Sequence, residues 1–382
     1  VASYTLDKSK WGGAKAFDRL LEDVRQRREE FERQHHISAD VVRQFQKLGL
    51  YRAFVPRRFG GDEQSPVDFL LAIEAIAQAD GSAGWVASFG MSPTYLGGLP
   101  METLEEIWQS PDDMFAGATF PVHPVQVVEG GYLVKGRWKW ASGCKFAHRV
   151  GVGIKPNDKN ALPSIAVMDR EQAEIDESSW GVHGMAGSGS YDLVVNDVVV
   201  PESRVFVRGG KLTPPGIFFK YPTITLAAQV LAVTSAGVAR TALDTVIQGA
   251  TARQSATGAP NIADRTYVQI DMAKADARLR AARLFFYDSA AAAWHILEQG
   301  NDLDPHSISM MRLSTSHLVR ECAAVVRTAY HLSGMEAAYL DNHLSRCFRD
   351  VHMPTQHAFM GEISYQNAGA MMFGKDPLPG YL

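Results

Sequence analysis

Strand-like sequence is confined to one block of the chain, from about residue 115 to 219, and both flanks are helical in pattern. Within the block, short β-type runs stand between turn residues: Val125–Val128, Tyr132–Val134, Arg137–Trp140, Val150–Ile154, Ile165–Met168, Leu193–Val195 and Val198–Val200. Gly130-Gly131 separates two of these runs and reads as a tight hairpin turn. Short strands at this spacing predict a small barrel or sandwich. Because strands do not alternate with helices, a doubly wound nucleotide-binding sheet is disfavoured. Gly187-Ser188-Gly189-Ser190 also departs from the G-x-G-x-x-G pattern and lacks its strand–turn–helix setting.

The N-terminal flank predicts helices over Lys15–His35, Ala39–Leu48, Val67–Gln78 and Thr103–Gln109. In the third, Phe69, Leu70, Ile73 and Ile76 fall at helical spacing. The C-terminal flank predicts longer helices over Leu226–Ala250, Arg265–Glu298, Pro305–Leu332 and about Asp350 to Phe373, enough for a four-helix bundle. The expected fold class is mainly α with a small central β domain. Its units are residues 1–112 (helical), 113–222 (β) and 223–382 (helical bundle).

Composition narrows the function classes. The 38 Lys and Arg against 42 Asp and Glu give a net charge of −4, with no long basic run, which argues against a nucleic-acid surface. A hydrophobic fraction of 46% supplies ample core and excludes disorder as the dominant state. No stretch of 18 apolar residues occurs. The N-terminus leads into a charged helix, so a cytoplasmic protein is expected. Cys144, Cys322 and Cys347 are far apart with no C-x-x-C, which predicts idle thiols rather than disulfides or a zinc site. The charge run Arg25–Glu32 reads as a solvated helix face.

Four strings, in order along nearly the whole chain, carry a family resemblance. The first is Phe54-Val55-Pro56 through Phe59-Gly60-Gly61, with Ala77-Gln78-Ala79-Asp80-Gly81-Ser82-Ala83-Gly84-Trp85 after it. The second runs from Gly130-Gly131-Tyr132 to Trp138-Lys139-Trp140-Ala141-Ser142-Gly143-Cys144. The third runs from Gly187-Ser188-Gly189-Ser190-Tyr191-Asp192 to Val199-Val200-Pro201-Glu202, and the fourth from Leu332-Ser333-Gly334 to Arg346-Cys347-Phe348-Arg349-Asp350. Together they resemble the acyl-CoA dehydrogenase superfamily, whose fold is a helical domain, a β domain and a four-helix bundle. Dehydrogenases with a C-terminal base carry a Glu in a Tyr-Glu-Gly string soon after the Arg-Asp pair. Here the sequence reads Gln356-His357-Ala358-Phe359. The string Arg349-Asp350 through His357, and Trp140-Ala141-Ser142-Gly143-Cys144, are similar instead to the flavin-dependent monooxygenases built on the same fold, the oxygenase components of two-component systems.

The resemblance implies reduced flavin (FMN or FAD) and O2, reacting through a C4a-hydroperoxide to hydroxylate a small phenolic or heteroaromatic substrate. It implies His357 as general base and Ser142 at flavin N5. A neutral imidazole suits the base role, since its ordinary pKa lies near ~6.5 against ~10 for a phenol. Trp140 would cover one flavin face, and Gly143 would let backbone approach it. Gly187, Ser188, Gly189 and Ser190 would approach phosphate or ribityl through backbone N–H groups. Arg253 would reach a cofactor phosphate across a subunit contact, although Ala256-Thr257-Gly258 departs from the family's Phe-Gly, which leaves FMN against FAD open. Trp85, Phe120 and Phe219 are candidate substrate-pocket walls, with core packing as the plain alternative. His352 is off the i, i+4 register from His357, so the two make no metal pair and no metal is expected. With no nicotinamide-binding unit visible, a separate flavin reductase would be the partner, and the bundle resembles one that forms homotetramers.

Three other readings stay open on the sequence. One is an acyl-CoA dehydrogenase whose base has moved to Glu362 or Glu336. Another is a flavin N-oxygenase acting on an amine. The third is a non-catalytic flavin-binding member.

Overall fold

The computed structural model describes residues 4–156, 162–252 and 260–378. Seven helices come first: α1 (Ala14–Gln26), α2 (Arg28–Gln34), α3 (Ala39–Lys47), α4 (Pro66–Ala79), α5 (Gly81–Ala87), α6 (Ser92–Leu96) and α7 (Met101–Ile107). Eight strands follow: β1 (Phe115–Pro124), β2 (Gln126–Val128), β3 (Gly131–Ala141), β4 (Arg149–Lys155), β5 (Ser164–Asp169), β6 (Glu174–Asp176), β7 (Tyr191–Val200) and β8 (Val205–Val207). The chain ends with α8 (Thr223–Ala252), α9 (Thr266–Glu298), α10 (Pro305–Leu332), α11 (His343–Gln356) and α12 (Ile363–Met372).

The strands form two four-stranded sheets, ordered β1-β4-β5-β8 and β2-β3-β7-β6. Their facing sides share a core that includes Trp138, Val150, Val152, Ala166, Met168, Leu193 and Val195. The period-two alternation of β5 places Ala166 and Met168 in this core and Ile165 and Val167 in the helical one. That single strand therefore glues the sandwich to the helices. The second core is continuous from the N-terminal helices, through Phe17, Phe45 and Phe69, to Leu226, Phe286 and Val325 of the C-terminal helices.

From residue 225 to 239 every residue of α8 is buried, and this part is apolar nearly all round. Its stretch Thr223–Ala250 is the one described helix long and apolar enough to cross a membrane, and 72% of its apolar window is buried within the protein. At Gly237, α8 touches α4 so closely that a Cβ would lie 2.5 Å from the Glu74 carbonyl oxygen.

Several expectations need correction. Lys15–His35 is two helices, divided at Arg27. Two pairs of expected short strands fuse into β3 and β7, each bent at a register shift or turn rather than ended. β1, β6, β8, α5 and α6 were not expected from the pattern. Their runs are short or, in α5, made of small residues without periodicity.

The expected helix from Asp350 to Phe373 breaks at His357. Pro354 inside α11 has no amide to donate, and His357 leaves the helix with φ −73° and ψ 137°. A 3-10 turn, Ala358–Met360, then leads to α12.

The charge run Arg25–Glu32 is only partly a solvated face. Arg27 binds Glu30 and, at 2.6 Å, Asp40. Arg28 donates to the Ala79 carbonyl, while Glu32 accepts from Arg346 at 2.8 Å and from Arg349. The run thus ties α2 to α4 and α11.

Candidate active site

Three remote segments meet at Ser142. β3 carries a bulge, with its pairing to β7 shifting between Trp138 and Ala141. Inside the bulge Trp140 takes a positive φ of 70° and turns its indole outward, 62% exposed. Beyond the strand, Gly143 takes φ 70°, a conformation glycine adopts without penalty. Its N–H donates to the Ser188 carbonyl at 3.0 Å, locking the Ser142 turn to the loop before β7.

That loop brings its serines to the turn. Ser142 and Ser190 hydroxyls are 2.6 Å apart, and Ser190 and Ser188 hydroxyls 2.8 Å apart. Trp85 of α5 donates its indole N–H to the Ser142 hydroxyl oxygen at 3.0 Å. Each hydroxyl has one proton to give. If Ser188 donates to Ser190, and Ser190 to Ser142, the lone pairs of Ser142 are filled and its proton is free for a ligand. The reverse direction consumes that proton inside the chain.

Two of the four amides in the expected phosphate-binding loop are already engaged. Gly187, Ser188, Gly189 and Ser190 are buried. The Ser188 and Gly189 amides are spent on Met185 and Ala186 carbonyls at 2.9 and 3.4 Å. The loop is pinned on both sides, by a β-bridge from Ser188 to His36 and by the Met185 N–H donating to the Asp350 carboxylate at 2.6 Å. Its serine hydroxyls form a chain that ends at Ser142.

Trp85 also meets His357, ring centres 6.2 Å apart and edge-on. His357 sits in the break between α11 and the 3-10 turn, where its Nδ1 accepts the Phe359 N–H at 3.2 Å. A neutral ring so bonded carries its proton on Nε2. Burial first, then the charges of Arg208 and Arg312, lowers its pKa to about 4. His357 is therefore neutral at neutral pH, as the base role requires. In this tautomer, however, it faces a ligand as an N–H donor, and accepting a proton at Nε2 requires exchange of the Phe359 bond.

The remaining candidates divide. Trp85 belongs to this cluster. Phe219 is a core residue, packed on Phe218 and Trp108 with ring centres 4.5 and 6.3 Å away. Phe120 is exposed on β1, with no ring contact to Trp85 or His357 among the described residues. Arg253 lies outside the described residues. His352 bonds the Phe348 carbonyl of its own helix through Nδ1 at 2.6 Å. Neither alternative carboxylate base is in place: Glu362 points to the surface and accepts from Arg320 at 2.7 Å, and Glu336 is exposed in a separate 3-10 turn. Among the described residues no group of three His, Cys, Asp or Glu is arranged to hold a metal. The three cysteines are buried free thiols.

Sequence reasoning missed Arg208, Arg312 and Tyr95. Arg312 donates to the Phe359 carbonyl at 3.0 Å, and Arg208 to the Tyr95 hydroxyl at 3.0 Å. No local motif marks them; only tertiary structure brings β8, α6 and α10 to the His357 break.

The acyl-CoA dehydrogenase C-terminal domain model matches residues 229–362, and the N-terminal domain model residues 14–99. Indole-3-acetate monooxygenase of Pseudomonas putida is 52% identical, over 96% of this chain and 95% of that protein. The flavin-dependent monooxygenase oxygenase subunit HsaA of Rhodococcus jostii is 30% identical, over 94% of this chain and 97% of its own. The chain belongs to the flavin-dependent monooxygenases of the acyl-CoA dehydrogenase family. The crystal structure of 3-HSA hydroxylase from Rhodococcus sp. RHA1 superposes on this monooxygenase with a TM-score of 0.89 at 27% identity, covering 96% of this chain and 98% of the other. The monooxygenase thus shares its fold as well as its sequence with oxygenase subunits.

Proposed function

We propose that this monooxygenase hydroxylates a small heteroaromatic acid of the indole-3-acetate type, with Ser142 set against the flavin and His357 against the substrate. The observation that carries the reading is Trp85, which bonds Ser142 through its indole N–H and touches the His357 ring. One side chain thereby fixes the spacing of the two groups. The acetate substrate class comes from the Pseudomonas putida relative, whose name specifies indole-3-acetate.

The residues fit a flavin. The exposed Trp140 plane offers an apolar face two residues from Ser142, whose hydroxyl is aimed by the serine chain. When bound, reduced flavin would supply the activated oxygen. The chain's residues then do three things. Ser142 donates to a flavin heteroatom. Trp85 and Phe359 present aromatic faces to the substrate ring and exclude water. Neutral His357 holds the substrate by Nε2–H and, after releasing the Phe359 N–H, takes the proton that leaves the ring.

Relatives named as an oxygenase subunit and an oxygenase component support a separate reductase that delivers reduced flavin. Tyr267, Ile270 and Leu284 expose apolar side chains along α9, which supports a homotetramer closed through the bundle. Sedimentation at micromolar concentration checks that assembly.

The deciding experiment mixes the protein with chemically reduced flavin, isotopically labelled O2 and indole-3-acetate, and reads product mass. One labelled oxygen in the product is expected. Peroxide release with every substrate intact would falsify the reading.

A further inference from the structure

Arg312 lies in α10, packed into the bundle, and only 4% of it is exposed. Its Nη2 is used by the Phe359 carbonyl, but Nε and Nη1 are buried without any acceptor. Arg208 reaches the same aromatic ring from the end of β8. The two guanidinium carbons lie 5.5 and 5.6 Å from the Phe359 ring centre. Among the described residues, the charge that acts on Arg312 is that of Arg208, with no carboxylate beside it. Two cations at a partly buried aromatic, one of them itself buried with orphaned donors, are costly unless an anion joins them. A planar guanidinium fork matches a carboxylate with two parallel hydrogen bonds.

We infer that Arg208 and Arg312 bind the carboxylate of an aromatic acid substrate and so hold its ring against His357 and Trp85. The inference rests on the reading above and adds what selects the substrate. The position decides between anions. His357 and Trp85 surround the reacting ring in that reading, and an acetate group ends only a few bonds from its ring. A flavin phosphate stands at the far end of the ribityl chain from the tricycle. Arg208 is also held by the Tyr95 hydroxyl at 3.0 Å, so one side of the site is fixed before any ligand enters.

The test is equilibrium binding without turnover, using indole-3-acetate and its neutral isostere indole-3-acetamide. Wild-type protein should favour the acetate by roughly 10–100-fold, the range for losing a hydrogen bond to a charged group. Arg312→Met keeps the volume and removes the unpaired charge, which offsets the lost bond to the Phe359 carbonyl, so the variant should stay folded without ligand, as melting checks. In Arg312→Met and in Arg208→Gln the preference should collapse toward unity, with FMN affinity unchanged. An undiminished preference in both variants overturns the inference. So does a tenfold loss of FMN affinity with the preference intact, which would assign the pair to a cofactor phosphate. The two readings fail separately: acetate preference without any oxygenated product removes the monooxygenase assignment of the site and leaves the carboxylate clamp. Equal oxygenation of acetate and acetamide does the reverse.

Discussion

Ser142 receives the Trp85 N–H and shares a proton with Ser190, so its value to a ligand depends on which way a chain of three hydroxyls points. Ser190→Ala removes the group that aims it. Product formation should fall roughly 2–10-fold, the worth of one neutral hydrogen bond, while reduced flavin still binds. Ser142→Ala should cost more, because Trp85 then loses its acceptor in a partly buried place. Thermal or urea unfolding should show about 1–3 kcal/mol of lost stability. His357→Ala should lower product formation by about 10²–10⁴-fold, the usual share of a positioned acid–base group, with flavin binding retained. Single-turnover product yield against flavin titration separates the two effects. At this scale the sequence was legible where a motif names the residue. Ser142 and His357 stand in strings that carry the resemblance, and Trp85 closes another. Arg208, Arg312 and the bond from Ser190 to Ser142 are not legible, because an unpaired guanidinium or a chain of hydroxyls exists only once distant segments have met.

Among the elements, the long helices were the easiest to read. α10 starts with Pro305 just after the Asp304 N-cap, whose side chain accepts the Ser307 N–H at 2.7 Å, and ends at Leu332 as its pattern predicts. The break in the last helix is not legible, because a single proline in a polar helix carries little weight against an otherwise helical stretch. The strand count differs as well, since a register shift such as that between Val134 and Gly136 looks in sequence like a strand ending. The α4–α8 contact offers a sharp check. Gly237→Ala in an isolated helix would gain about 1 kcal/mol. Here the new Cβ would strike the Glu74 carbonyl and the Gln78 amide nitrogen, both at 2.5 Å, so chemical denaturation should instead show a loss of about 1–3 kcal/mol.

For the whole molecule, three groups that folding withdraws from water contribute to stability against pH. Burial and nearby arginines lower His357 to about 4 and His343 to about 3, while burial, with Asp80 beside it, raises Asp350 to about 7. Between about pH 4.5 and 6 the unfolded chain protonates both imidazoles, near ~6.5, and the folded chain protonates neither. Over the same range the folded chain keeps a proton on Asp350 that the unfolded chain has lost. The unfolded state therefore binds one more proton net, and stability from these groups rises by about 1.4 kcal/mol per pH unit. Above about 6.5 the imidazole contribution is complete. Asp350 then works the other way until about 7. Urea midpoints should climb from pH 4.5 to 6 and level off, and His343→Asn should flatten most of that climb. Asp350 matters in another respect. The carboxylate that receives the Met185 amide stands two helical turns before His357 on α11, so the serine-bearing loop and the imidazole hang from one peg. A chimera that transplants the sandwich of another oxygenase without its matching α11 would keep all the named side chains and still misplace them relative to each other.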